Sequence, residues 1–292
     1  MLRLLLAAAL GMTAMPANAQ LLTWPDLAKR AQPRPDQTLS YGTDQMQKVD
    51  LWLPATPPPH RTVLMVHGGC WQTSIADRSL MNWVADDLRR AGYAVWNIDY
   101  RGVDRAGGGY PGTFADAAAA ADLLRTHAAH YGLNTRRIVA VGHSAGGHLA
   151  LWLAARGRLP ATSPLRTDDP LPIAHVVSLG GLPDLEATAS SPDNGCGTDV
   201  VAKLVGSGRP EPYADTSVPR LWPLGVPQDL VNGREDKIIP YRMATDYVAG
   251  ATAKGDRVHL HTVAKTGHVE LVAPESAAWA QSKRLIAAAF AR

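Results

Sequence analysis

The sequence predicts an α/β protein, a mostly parallel central sheet with helices on both faces. Three observations carry this. Apolar, β-branched runs recur along the chain, segments of helical character alternate with them, and the runs are nearly continuously apolar, as strands covered on both faces must be. With 292 residues, 46% of them hydrophobic, the chain can bury a large core without depending on disulfides, and one domain is expected over residues 20–292.

A separate segment precedes that domain. Arg3 supplies a positive start, residues 4–14 form an apolar run, and Ala17-Asn18-Ala19 fits a signal-peptidase site. Residues 1–19 are therefore expected to be a signal peptide, cleaved near Ala19 to leave an exported chain, periplasmic or secreted. The apolar run is too short to cross a bilayer comfortably, so no stable membrane span is expected in the mature chain. A net charge of +3, spread without a Lys/Arg cluster, gives no support to nucleic-acid binding. The chain has two cysteines, Cys70 and Cys196, and export would let them pair if the fold brings them together.

Taken in order, residues 21–37 carry three prolines and mixed polarity and read as an arm leading into the domain. Residues 48–53 alternate as a strand, and the proline-rich stretch 54–59 ends it. Strands are then expected at 62–66, 93–98, 137–141, 175–179, 229–232 and 258–263, and helices at 78–91, 114–131, 147–158, 241–254 and 276–290. The helix at 114–131 is dominated by alanine, which lets it pack closely on a sheet. Residues 182–226 break the rhythm, being rich in Pro, Gly, Ser and Asp with a short helical piece at 200–205. A long irregular excursion in such a sheet protein is expected to cover a site beyond the carboxyl ends of the strands, as a cap.

The strongest chemical signal is Gly142-His143-Ser144-Ala145-Gly146-Gly147, G-x-S-x-G between a strand and a helix. That context is a sharp elbow which presents a serine at the tip of a sheet. A serine hydroxyl is a weak nucleophile at neutral pH and needs a base oriented by an acid. Of the ten histidines, His127, His130, His259 and His261 read as packing or surface residues; His148 lies on the helix after the elbow, and His143 is too close to Ser144 in the chain to reach it easily. His268, in a loop opened by Gly267 just after the last expected strand, is the candidate base. The acid should come from the loop after the preceding strand, where Asp236 is the first choice and Glu235 the runner-up. The remaining need is for donors to the oxyanion formed in acyl transfer: the Ala145 amide, and amides of the loop His67-Gly68-Gly69-Cys70-Trp71-Gln72.

These motifs, His67-Gly68-Gly69-Cys70-Trp71, the elbow through Leu149, Gly233–Pro240 and Gly267–Val269, resemble the α/β-hydrolase superfamily, and within it the HGG-bearing esterases related to hormone-sensitive lipase, feruloyl/acetyl-xylan esterases and kynurenine formamidases. The resemblance implies an α/β-hydrolase fold, a triad of Ser144, Asp236 and His268, and an oxyanion hole from the amides of Gly69, Cys70 and Ala145, with Gly68 as the alternative. It implies no cofactor and no metal. Where lipase-like members read HGGG, Cys70 stands in the last position, which favours an HGGxW enzyme over a lipase. Trp71 and Gln72 are candidates for the substrate pocket, with Trp71 equally a core residue; Asp99 and Arg101 read as structural supports of the oxyanion loop. Gly107-Gly108-Gly109 lacks the Gly-Lys-Ser/Thr of a phosphate loop.

The expected function is hydrolysis of carboxylic esters of short or aromatic acyl groups through an acyl-enzyme, with a small-molecule ester as partner. An arylformamidase, amidase or peptidase using the same triad is the alternative, and a hydrolase-fold binding protein without catalysis is the alternative of another class. Cys70 lies away from the elbow with no base beside it, which argues against a cysteine nucleophile. A Cys70–Cys196 bond would tie the cap to the oxyanion loop.

Overall fold

A computed structural model describes residues 20–291, so the expected signal peptide and its cleavage site lie outside the described residues. Eight strands form one sheet: β1 (Gln37–Ser40), β2 (Lys48–Trp52), β3 (His60–Val66), β4 (Tyr93–Ile98), β5 (Leu133–His143), β6 (His175–Leu179), β7 (Gln228–Gly233) and β8 (Val258–Val263). Their order is β1-β2-β4-β3-β5-β6-β7-β8, antiparallel across β1, β2 and β4 and parallel from β4 to β8.

The period-two geometry of a strand divides each apolar run between two cores. In β3, Leu64 and Val66 enter one core while Val63 and Met65 enter the other; in β5, Ile138 and Ala140 oppose Val139 and Val141. The first core is closed by α3 (Gly112–Tyr131), α4 (Ala145–Ala155) and α7 (Tyr241–Ala253), the second by α2 (Asn82–Arg90) and α8 (Ala277–Ala291). Alanines make close approach possible on α3: Ala117, Ala120 and Ala121 are buried, and Trp96 of β4 donates its indole N–H to the Ala120 carbonyl at 2.8 Å.

The edge strand β1, the early start of β5 and a helix in the N-terminal arm were not legible in the sequence. β1 has mixed polarity and mostly exposed residues, and is held as an edge strand by its register against β2, where Thr38 Oγ1 donates to Asp50 Oδ1 at 2.6 Å. β5 begins at Leu133, ahead of the expected start, because its polar first half pairs with β3 across a register shift at Arg61/Thr62. The proline-containing arm forms a short helix, α1 (Trp24–Ala28), whose Thr23 and Asp26 cap each other at the N-terminus. Thr-x-x-Asp flanking a proline was the available signal for it.

Residues 182–226, between β6 and β7, contain α5 (Leu185–Ala189), α6 (Asp199–Val205) and a 3-10 turn at Val218–Leu221. Leu185, Val200, Val201, Leu204 and Val218 are buried in the first core, so the excursion is anchored by its own apolar residues. No helix among the described residues is long and apolar enough to cross a membrane.

Candidate active site

Ser144 sits between the last residue of β5 and the first of α4, with φ 55° and ψ −124°. A non-glycine residue rarely occupies this region, and holding one there costs about 1–3 kcal/mol that the surrounding packing must offset. Close approach enforces it: a Cβ at Gly142 would lie 2.0 Å from the Gly146 carbonyl oxygen, and a Cβ at Gly146 would lie 2.2 Å from that of Val66. The elbow is therefore wedged against the end of β3, beside the loop that follows it. Ser144 is 2% exposed.

That loop is drawn onto the elbow by Gly68, where an added Cβ would stand 2.8 Å from His143 Nδ1 and 2.9 Å from Ser144 Cβ. Gly69 follows with φ 107°, then Cys70 and Trp71 with φ 52° and 56°. The Gly69 and Cys70 amides donate to no protein acceptor among the described residues, and both residues line the pocket that holds Ser144. Ala145 opens α4, where a backbone amide has no intrahelical partner.

Braces hold the loop from below. His67 lies between the Gly68 carbonyl (Nδ1, 2.6 Å) and Asp99 (Nε2 to Oδ1, 3.0 Å), and its ring stacks on Tyr100 with centroids 4.4 Å apart. Tyr100 donates its hydroxyl to the His67 carbonyl at 3.0 Å, and Arg78 donates to Asp99 Oδ2 at 2.9 Å. Arg101 makes a two-pronged pair with Asp116, at 2.7 and 2.9 Å. Asp99 thus braces the loop directly through His67, while Arg101 ties its own segment to α3.

The carboxylate and the imidazole arrive on the loops after β7 and β8. His268 Nδ1 donates to Asp236 Oδ2 at 2.7 Å, and both side chains are nearly fully buried. Asp236 Oδ1 accepts from the amides of Ile238 and Ile239 at 2.8 and 2.9 Å, so the carboxylate is held on both oxygens. With Nδ1 engaged, Nε2 is the free nitrogen of His268, and this ring lines the same pocket of about 220 Å³ as Ser144. Glu235 does not face His268; it accepts from the Thr266 amide at 3.1 Å.

His143 stacks at an angle on His268, with centroids 4.5 Å apart, and donates from Nε2 to the His268 carbonyl at 3.2 Å. Burial drives its pKa well below the ordinary histidine value, so it braces the His268 loop as a neutral ring. His148 acts similarly under the oxyanion loop. It donates from Nε2 to the Thr216 carbonyl at 2.8 Å and accepts the Trp71 indole N–H on Nδ1 at 3.2 Å, and burial lowers its pKa to about 4.

Trp71 is correspondingly not a pocket residue. Two successive residues with positive φ reverse the chain and turn the indole down into the first core, where it is fully buried. Gln72 also lies outside the Ser144 pocket and lines a separate depression with Asp104, Cys196 and Lys203. The pocket walls come from residues whose role was not read from sequence: Trp24 of α1, Ile75 and Leu80 after the oxyanion loop, Gly195 of the cap and Ile238 beside Asp236.

Cys70 and Cys196 are joined by a disulfide, with Cα atoms 5.3 Å apart and a separation of 126 in sequence. Gly195 beside it donates its amide to the Ile238 carbonyl at 2.6 Å, which fastens the cap to the acid loop as well. Closing so long a loop restricts the unfolded chain strongly, and loss of a native bond of this kind costs about 2–5 kcal/mol. Replacing Cys196 by Ser is expected to lower the Tm by roughly 4–15 °C. A thermal melt checks this, and an unchanged Tm would refute it.

The sheet order, the strained serine elbow and the paired carboxylate and imidazole at the carboxyl ends of β5, β7 and β8 define an α/β-hydrolase. The BD-FAE family model matches residues 49–249, more than half of the chain, and the protein belongs to that family. Among curated proteins it is similar to Esterase LipC of Mycobacterium tuberculosis (strain ATCC 25618 / H37Rv), 26% identical over 242 residues. That match covers 79% of this chain and 57% of LipC, so the chain spans little more than half the length of that relative. Two solved structures share the fold: an inhibited esterase B from Lactobacillus rhamnosis, with TM-score 0.74, 19% identity and 90% of each chain covered, and a truncated carbohydrate esterase from gut microbiota, with TM-score 0.72, 18% identity, 90% of this chain and 99% of that one.

Proposed function

We propose that the protein is a serine hydrolase that cleaves carboxylic esters of short or aromatic acyl groups through an acyl-enzyme. Ser144 Oγ attacks the ester carbonyl, and His268 Nε2 takes its proton and returns it to the leaving alcohol. Asp236 holds the imidazole in the productive tautomer and stabilises the imidazolium as it forms. The amides of Gly69, Cys70 and Ala145 receive the developing oxyanion, each worth about 3 kcal/mol in the transition state. Water then attacks the acyl-enzyme with the same base.

The observation that carries this reading is the doubly held Asp236, bonded to His268 Nδ1, with His268 and the strained Ser144 facing one pocket. The esterases among its relatives support the ester as substrate class. A fluorophosphonate probe is expected to label the protein on Ser144, and labelling that persists in Ser144→Ala would sink the assignment. A panel of p-nitrophenyl esters beside N-formyl aryl amides measures the acyl preference; faster turnover of the amides would replace the ester reading with the amidase one.

Export belongs to the same proposal. The basic, apolar and Ala-x-Ala order of residues 1–19 supports it, as does a disulfide, which persists in oxidising compartments. Intact mass after alkylation without reductant is expected to show periplasmic protein beginning at Gln20 with no alkylated thiol. An uncleaved chain or two alkylated cysteines would refute it.

A further inference from the structure

The three large hydrophobic side chains that stand exposed among the described residues are Trp24 at 36%, Ile75 at 57% and Ile238 at 37%. Scattered apolar residues on a surface need no explanation, but these three line the one pocket that contains Ser144 and His268. Trp24 stands against the two histidines of the pocket. Its ring meets His143 and His268 edge-on, with centroids 5.9 and 6.4 Å away.

The arm that brings Trp24 there is docked. Leu27 is 1% exposed in the second core, and Trp83 donates its indole N–H to the Ala31 carbonyl at 3.1 Å. The buried Glu270 accepts the Leu22 amide on one oxygen and the Gly267 amide on the other, at 2.9 Å for the latter. One carboxylate thus joins the arm to the loop that carries His268.

The Ser144 pocket, at about 220 Å³, is smaller than the ~300–1,000 Å³ of ordinary small-molecule sites. It shares four walls, Trp24, Ile75, Ala76 and Leu80, with a neighbouring groove of about 410 Å³ between α1 and the 73–83 segment. Trp24 and Ile75 thus stand between the two spaces, where they bound any group that a substrate extends beyond its carbonyl.

We propose that the N-terminal arm forms part of the substrate site, with Trp24, Ile75 and Ile238 making a subsite for an aryl or medium-length alkyl group of the ester, and Trp24 setting how strongly such groups are preferred over small ones. The proposal rests on the ester-hydrolase reading. The subsite takes its group from either the acyl or the alcohol side, and two substrate series tell these apart. One is p-nitrophenyl esters from acetyl to hexanoyl and benzoyl; the other is acetates of methanol, phenol and 2-naphthol.

In one of the two series, Trp24→Ala is expected to lower the ratio of kcat/KM for the larger members to that for the smallest about tenfold, mainly through the KM of the larger members. Trp24→Phe restores most of the loss, and Ile75→Ala, at an exposed position of little consequence for folding, reproduces the bias more weakly. An equal loss across every member, or no change in either series with either variant, overturns the subsite while leaving ester hydrolysis standing. Wild-type protein that hydrolyses no member of either series overturns both readings.

Discussion

Replacing Ser144 by Ala is expected to lower kcat toward a good ester by about a millionfold, the loss seen when the nucleophile of a serine triad is removed. The reason is specific to a nucleophile that works only as part of a set. His268 Nε2 has no other hydroxyl of catalytic consequence to deprotonate, and Asp236 has no imidazolium to stabilise until the serine proton moves. Residues that act as a unit lose their effect together, so Ser144→Ala with His268→Ala should be no slower than either single variant. What survives is binding and the oxyanion donors, about 10³–10⁴-fold over water. Steady-state kinetics of the three variants decide the matter. A double variant whose losses multiply would mean that Ser144 and His268 act independently.

Asp236→Asn is expected to lower kcat about 10⁴-fold with little loss of stability. The direction follows from how the carboxylate is held. Oδ1 accepts two amides, from Ile238 and Ile239, so an asparagine there must keep its carbonyl oxygen on that side and turn its NH₂ toward His268. A donor facing Nδ1 forces that nitrogen to accept, which moves the ring proton to Nε2. The nitrogen facing Ser144 then has no lone pair with which to take a proton. Asp236→Ala would also free the two amides and is expected to cost folding stability as well as rate. Rates paired with thermal melts separate the two effects: Asp236→Asn that retains more than a tenth of wild-type kcat would remove Asp236 from the mechanism.

Ser144, Asp236 and His268 were legible as candidates because each stands just past the end of an expected strand. The elbow needs glycines on both sides of Ser144, since a Cβ at Gly142 would meet the elbow's own backbone at Gly146 and a Cβ at Gly146 the end of the neighbouring strand β3 at Val66. A carboxylate and a histidine just beyond the ends of successive strands reach the same edge of a parallel sheet, which the order of the apolar runs already implies. The choice between Asp236 and Glu235 was not settled at that level. Neighbouring carboxylates in one loop differ only in which way the backbone turns them, and here Oδ1 caps two amides while Glu235 turns to Thr266.

The pocket walls were the least legible part. Trp71 carries a strong sequence signal beside the oxyanion loop, yet two positive-φ residues point it into the core. Trp24 carries almost none and stands in the pocket, more than a hundred positions from Ser144 in the chain. Periodicity reports which face of an element is buried, and it determined the α/β class and the two apolar faces of the sheet. It says nothing of where an irregular arm comes to rest. The arm's place rests on one buried leucine, one bridging carboxylate and the packing of segments distant in sequence, and only the assembled tertiary structure brings those together.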